Sequence, residues 1–158
     1  MTEPAVPHTS NWSSNCTILG ASLHMMLCGS IYMIGSISPY LASYYHVSVS
    51  QTLVLLPIIT VIITIVMPFG SQVAERLQGK TVMAVSGSIA TLSASMASFV
   101  PRTSFPLFAA LLTGGLGLCI GLSYTTPIRL GWKAMPDRSG LVSGLIIGGF
   151  GLGSLIFT

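Results

Sequence analysis

An ionisable residue lies inside the first long apolar stretch of the sequence. His24 shares a three- and four-residue spacing with Cys28, Tyr32, Gly35 and Pro39, so these residues fall on one face of a helix. An ionisable side chain within a membrane helix is a functional candidate that faces the bundle interior or a water-filled path. A neutral histidine also serves as a hydrogen bond between packed helices. The sequence leaves both interpretations of His24 open.

A second group of chemically active side chains lies in the short segment GSQVAERLQGK. It contains Glu75, Arg76, Gly79 and Lys80. A charged pair near the ends of two helices is suited to a latch that opens and closes. A basic loop that only fixes the orientation of the helices in a membrane explains Arg76 and Lys80 equally well.

The rest of the sequence offers little catalytic chemistry. Only three residues are acidic, namely Glu3, Glu75 and Asp137, and no nucleophile motif, phosphate-binding loop or pair of carboxylates is present. The three cysteines lack the spacing of metal ligands. We therefore expect no enzymatic activity, no metal site and no cofactor. The net charge of +3 requires no nucleic-acid partner.

The composition identifies the elements that must carry these residues. Only 6% of the residues are charged, 51% are hydrophobic, and the mean hydropathy is +0.82. Such a chain cannot cover itself with a water-compatible surface, so its partner is the lipid bilayer. The apolar runs lack the two-residue alternation of barrel strands, which leaves helices. We predict an all-α membrane protein with about five transmembrane helices, at approximately 17–40, 52–69, 81–100, 105–126 and 139–158.

Basic residues predict the orientation of these helices. Five of the six Lys and Arg residues fall on one face, and only Arg102 falls on the other. Because loops rich in basic residues stay in the cytoplasm, we expect residues 1–16 to form a cytoplasmic tail. Tyr40, Tyr44 and Tyr45 would then form the exterior aromatic belt, with Trp132 in the interior one.

The second and last stretches contain local signals of their own. Ser48 and Gln51 fit a capping box at the start of the second helix. Pro57 and Pro68 predict a bend or a frayed end in that helix. In the last stretch, glycines recur every four positions, at Gly140, Gly144 and Gly148, and the fourth helix repeats this spacing with Gly117 and Gly121. Such glycines predict close helix packing, or helices that slide against one another.

The string from Gly115 to Phe157 resembles a known family. It resembles the fourth-to-fifth helix region of the major facilitator superfamily, and within it the oxalate/formate antiporter and monocarboxylate transporter group. The residues that carry the resemblance are Tyr124, Pro127, Trp132, Pro136, Asp137, Arg138, Gly140, Leu141, Gly144 and Gly149–Gly153. The Glu75–Arg76 segment resembles a degenerate form of the superfamily signature, with Gly70 one residue early and Glu in place of Asp.

The resemblance implies a twelve-helix transporter of small organic anions such as monocarboxylates, oxalate or formate. This chain would be the incomplete first half, and the missing C-terminal half would supply the cationic residues that hold substrate. Tyr32 matches an aromatic position that lines the substrate cavity, and Tyr124 and Phe150 match similar positions. We expect a multi-pass protein of the plasma membrane. The alternative is a non-transporting membrane protein that binds a partner helix through its glycine faces.

Overall fold

Five long helices make up the part of the chain that the structure describes. The structure is a computed structural model, and it describes residues 11–158. Its five apolar spans are Ser14–Tyr45, Val49–Arg76, Gly79–Ser98, Phe105–Ala134 and Pro136–Phe157, called here the first to fifth spans. The prediction of an all-α protein with about five membrane-spanning helices is confirmed. Residues 1–10 of the predicted tail lie outside the described residues, whereas residues 11–16 already belong to the helix Asn11–Gly29.

The helices extend beyond the apolar runs that the sequence predicted, so the segments between consecutive spans are short. Only Leu77 and Gln78 separate the second span from the third, and only Met135 separates the fourth from the fifth. Glu75 and Arg76 therefore lie in the last helical turn of the second span and not in a loop. A helix satisfies its own backbone groups, so the second span continues beyond its apolar run until Leu77 adopts an extended conformation.

Proline explains two interruptions of these helices. The second span consists of Val49–Leu53 and Leu55–Arg76, and the fourth consists of Phe105–Ser123 and Thr125–Ala134. Pro57 and Pro127 each follow the interruption by three residues and cannot donate an N–H to the carbonyl four residues earlier. The predicted break in the second helix is thus at Val54, whereas the helix continues through Pro68.

The turn between the first and second spans is fixed by local chemistry. His46 ends the first span with a positive φ of 54°. The Ser48 hydroxyl accepts from the Gln51 N–H, and the Gln51 side chain accepts from the Ser48 N–H. The predicted capping box at the start of the second span is confirmed.

The fourth span is the centre of the bundle. Its helix Phe105–Ser123 packs on the second and third spans, and its helix Thr125–Ala134 packs on the first span. The first span in turn packs along the fifth. Glycines permit the closest approaches: Gly121 faces the Val66 side chain, and Gly149 of the fifth span faces the Ser22 carbonyl. The predicted close packing at Gly117 and Gly121 is observed, against Ile62 and Val66.

The alternating direction of the spans separates two ends of the bundle. The Ser14 hydroxyl donates to the Ala134 carbonyl at 3.1 Å, which joins the start of the first span to the end of the fourth. At the opposite end, the Arg102 guanidinium lies 4.5 Å from the Tyr44 ring centroid. Arg102 and the predicted tyrosine belt thus share one end, and the other five basic residues lie toward the other.

Candidate functional site: an aromatic and polar cluster between the first, fourth and fifth spans

Three aromatic residues predicted to line a substrate path meet in one cluster. The ring centroids of Tyr32 and Phe150 are 5.8 Å apart, and those of Tyr124 and Phe150 are 6.2 Å apart. Both pairs have nearly perpendicular, edge-to-face rings, a favourable aromatic geometry. The Tyr32 side chain is 43% exposed, so the cluster opens on one side. The structure therefore brings together residues from three different spans.

Irregular backbone positions this cluster. Tyr32 ends a short 3-10 turn, Ser30–Tyr32, between the helices Asn11–Gly29 and Met33–Tyr45. Tyr124 is the residue at the interruption of the fourth span. Gly29 lies against the Phe150 carbonyl, so only a residue without a side chain fits there. Interrupted helices at the interior of a bundle are where membrane transporters place their binding sites.

His24 makes a hydrogen bond to the fourth span. Its Nε2 lies 3.0 Å from the Ser123 hydroxyl, which lies 2.8 Å from the Cys119 carbonyl. One arrangement satisfies both contacts: Nε2–H donates to Ser123, and the hydroxyl proton goes to the carbonyl. The hydrogen bond agrees with the interpretation of His24 as a link between helices, and its position beside the cluster agrees with a functional one.

Two thiols lie beside this hydrogen bond. Cys28 and Cys119 are both free and buried, and Cys119 also provides the carbonyl that accepts from the Ser123 hydroxyl. No group of three His, Cys, Asp or Glu side chains in residues 11–158 is placed to hold a metal ion.

The structure also shows two buried hydroxyl groups that the sequence analysis missed. Thr125 Oγ1 and Thr126 Oγ1 are buried and have no hydrogen-bond partner among residues 11–158. They directly follow the interruption at Tyr124. A threonine hydroxyl in a helix can bond the carbonyl four residues earlier. The sequence does not show that these two hydroxyls make no such bond, so only the structure identifies them.

The partner of Glu75 differs from the neighbour that the sequence suggested. Its carboxylate accepts from the Arg129 guanidinium at 2.7 Å, and Arg129 also donates to the Ser71 carbonyl at 3.3 Å. The pair joins the second span to the fourth. Arg76 is exposed, Gly79 lies against the Leu130 side chain, and Lys80 is exposed in the first turn of the third span; the gating role of this segment stays a prediction.

The motif around Trp132 holds the fourth and fifth spans together. The indole N–H of Trp132 donates to the Ser143 hydroxyl at 2.6 Å. Gly131 lies beneath Val142 and Ile146. Between the two spans, Pro136, Asp137 and Arg138 form an exposed 3-10 turn that leads into the helix Ser139–Phe157.

The glycine faces divide into a packed one and an open one. Gly149 and Gly153 lie against the carbonyls of Ser22 and Met26 in the first span. By contrast, a Cβ built on Gly140, Gly144 or Gly148 would meet no described atom within 4 Å. The predicted helix contact of these three glycines is therefore not made within the described residues, and their role stays a prediction.

Two known proteins resemble the chain. One is "Apicoplast pyruvate carrier 1" from Toxoplasma gondii, 33% identical over 95 residues, which are 60% of this chain and 17% of the carrier. The other is "Uncharacterized MFS-type transporter YhjX" from Escherichia coli, 28% identical over 143 residues, which are 89% of this chain and 35% of that protein. No family model and no solved structure matches the chain. These findings support a relationship to membrane transporters, while the chain spans about a third or less of either relative's length.

Proposed function

We propose that the chain is the N-terminal part of a secondary transporter that moves small organic anions by alternating access. The observation that carries this proposal is the meeting of Tyr32, Tyr124 and Phe150 at the interruptions of the first and fourth spans. Aromatic faces hold the apolar part of a small carboxylate, and a tyrosine hydroxyl donates to its oxygens. The similarity to a pyruvate carrier supports this substrate class, and the similarity to an MFS-type transporter supports transport in general.

Each remaining group receives a role in this proposal. The exposed Glu75–Arg129 pair acts as part of a latch toward the remaining helices of the transporter, because an exposed ion pair exchanges readily with water. The glycines at the contact of the first and fifth spans let two backbones slide at short distance. The remaining helices of the transporter would complete the path and supply cationic groups for the carboxylate.

The open glycine face favours a second interpretation. Gly140, Gly144 and Gly148 are exposed in a helix whose large side chains Leu141 and Leu145 are more than half exposed. Such a face suits a partner helix. In a transporter this helix belongs to the rest of the same protein; in a non-transporting membrane protein it belongs to another chain.

Uptake into liposomes tests the proposal. The full-length protein is reconstituted, and entry of labelled pyruvate, lactate, formate and oxalate is compared with that into protein-free liposomes. We expect uptake of at least one anion and its loss in Tyr32→Ala. Tyr40→Ala is the matched control, because Tyr40 lies on the same span, is 77% exposed and makes no ring contact with the side chains that the structure describes.

The outcomes separate the two interpretations. Uptake that Tyr32→Ala abolishes and Tyr40→Ala preserves supports an anion path at the aromatic cluster. Uptake of no anion by a folded full-length protein contradicts the transporter proposal. In that case, co-purification of a partner that Gly144→Leu releases would support the partner-helix interpretation.

A further inference from the structure

We propose that the turn between the third and fourth spans binds a phospholipid, with the lipid phosphate on Arg102 and an acyl chain along the third span. We call this surface the Arg102 site and define it by Tyr44, Leu92, Met96, Phe99 and Arg102. The proposal does not depend on the transport function proposed above, because none of these residues belongs to the aromatic cluster at Tyr32.

Arg102 is a cation without a counter-charge in the described part of the chain. Its guanidinium makes no ion pair with any side chain of residues 11–158. The two acidic residues of that range, Glu75 and Asp137, lie at the opposite end of the bundle. Arg102 is exposed, so its N–H groups are free to donate to an anion outside the chain. A phosphate suits it, because the planar guanidinium donates two parallel N–H groups to phosphate oxygens.

The ring of Tyr44 fixes the position of this cation. The Arg102 guanidinium carbon lies 4.5 Å from the Tyr44 ring centroid, within the range of a cation–π interaction. Tyr44 packs edge to face on Tyr45, which contacts two rings at the start of the fourth span, Phe105 and Phe108. The cation is thus held in place before a ligand arrives, which reduces the entropy cost of binding.

Large apolar side chains run along the third span toward Arg102. Val85, Leu92, Met96 and Phe99 are each more than half exposed. Their intervals of seven, four and three residues place them on one face of the helix, called here the apolar stripe. The part from Leu92 to Phe99 is about 10 Å long, at 1.5 Å per residue. Arg102 follows Phe99 by three residues, so the positive charge lies at the end of the apolar stripe.

The apolar stripe suits an acyl chain better than another helix. The exposed hydroxyls of Ser88, Thr91 and Ser95 donate to carbonyls of their own helix, so this side of the span needs no polar partner. No glycine belongs to the apolar stripe, so a second helix backbone could not approach it closely. A phospholipid matches both features, because it places an anionic phosphate at the end of its acyl chains.

Lipid binding to the full-length protein tests the proposal. The protein is purified in detergent, stripped of lipid and titrated with phosphatidylglycerol, and native mass spectrometry counts the bound molecules. Arg102→Gln should weaken the tightest binding about fivefold, the usual effect of one basic side chain at an anionic lipid surface. Lys80→Gln is the matched control, because Lys80 is an exposed cation at the opposite end of the same span, and it should bind like the native protein. Equal binding by the native protein and Arg102→Gln overturns the proposal.

Two variants of Tyr44 test how the cation is held. Tyr44→Phe keeps the ring under the guanidinium and should bind phosphatidylglycerol like the native protein. Tyr44→Leu removes the ring and should weaken binding in the same direction as Arg102→Gln. Native binding by Tyr44→Leu would contradict the role of the ring, and thermal unfolding of both variants shows that each is folded.

Competition identifies the occupant. Inorganic phosphate should not displace phosphatidylglycerol, because it lacks the chains that contact Leu92 and Met96. Displacement by inorganic phosphate would show a simple anion site and would overturn the phospholipid proposal. Diacylglycerol has the chains without the phosphate, so its binding should be the same in the native protein and in Arg102→Gln. A dimer that Arg102→Gln dissociates would show that a second copy covers the apolar stripe, which also overturns the proposal.

Discussion

The fourth span makes two contacts of different character. Toward the second span it presents Gly117 and Gly121, which lie against Ile62 and Val66. On the second span, a Cβ added to Gly70 would lie only 2.5 Å from the Gly121 carbonyl oxygen. We call this apolar contact the 2–4 interface. Toward the first span, the fourth span adds a hydrogen bond between Ser123 and His24 to the packing of Ile128 on Ala21 and Met25, and we call this contact the 1–4 interface.

The difference indicates which contact is fixed and which is able to change. Close packing of glycine on branched side chains depends on shape, and a shift of even one methylene group is unfavourable. Hydrogen bonds between side chains exchange with water or with a ligand at little net cost. We therefore expect the second and fourth spans to move as one body, with rearrangement at the 1–4 interface.

The largest expected effect comes from breaking the 2–4 interface at Gly70. In Gly70→Ala the new methyl group would meet the backbone of Gly121 and Leu122 at 2.5–2.7 Å, and backbone atoms cannot rotate away. We expect a loss of at least about 1–3 kcal/mol in the free energy of unfolding, the usual cost of overpacking. Thermal unfolding of the full-length protein in mild detergent measures it.

Gly114→Ala is the control for this prediction. A Cβ at Gly114 meets nothing within 4 Å, and alanine is favoured over glycine in a helix by up to about 1 kcal/mol. The control should therefore melt at the same temperature as the native protein or higher. Equal melting temperatures for the two variants would show that the 2–4 interface is not closely packed.

The features that the sequence predicted are those that depend on neighbouring residues. Chain-wide apolar runs specify the spans, and the hydroxyl of Ser48 and amide of Gln51 reach each other across a single helical turn. The spacing of His24, Cys28 and Tyr32 likewise fixes one helical face. Such features need no knowledge of where another span lies.

What the sequence could not predict depends on the register between spans. Glu75 and Arg76 are adjacent, but consecutive side chains on a helix point in different directions, and the partner of Glu75 is Arg129 on another span. Both Gly144 and Gly149 belong to glycine-rich faces, and only the packed structure shows that Gly149 meets the first span. The missing hydrogen-bond partner of Thr126 likewise depends on how the spans pack, so the sequence does not reveal it.

A smaller effect is expected at Thr126, whose buried hydroxyl has no partner among the described residues. Valine has nearly the shape of threonine, so Thr126→Val removes the hydroxyl and little else. Because no described group bonds this buried hydroxyl, we expect Thr126→Val to raise the free energy of unfolding by about 1 kcal/mol, the low end of the cost of an unpartnered buried hydroxyl.

Thr113→Val supplies the reference for this measurement. The Thr113 hydroxyl donates to the Ala109 carbonyl, so this variant shows what the loss of a satisfied hydroxyl in the same span costs. Thermal unfolding in detergent should give a higher melting temperature for Thr126→Val and a lower one for Thr113→Val. Similar shifts for the two variants would contradict the prediction and indicate that a water molecule bonds the Thr126 hydroxyl.

The smallest effect is expected at the exposed ion pair that joins the second and fourth spans. The side chains of Arg129 and Glu75 are 39% and 61% exposed, and ion pairs in water contribute about 0–1 kcal/mol. Glu75→Gln keeps an oxygen that accepts from Arg129 and removes the charge. The free energy of unfolding of this variant should differ from that of the native protein by no more than this amount at low salt. The difference should vanish in about 1 M salt, where charges are screened within about 3 Å.

Arg76→Gln is the control, because the Arg76 guanidinium has no ion-pair partner among the described residues. Its difference from the native protein should not depend on salt in this way. A loss of several kcal/mol in Glu75→Gln would mean that the charged pair, and not the glycine packing, holds the second and fourth spans together.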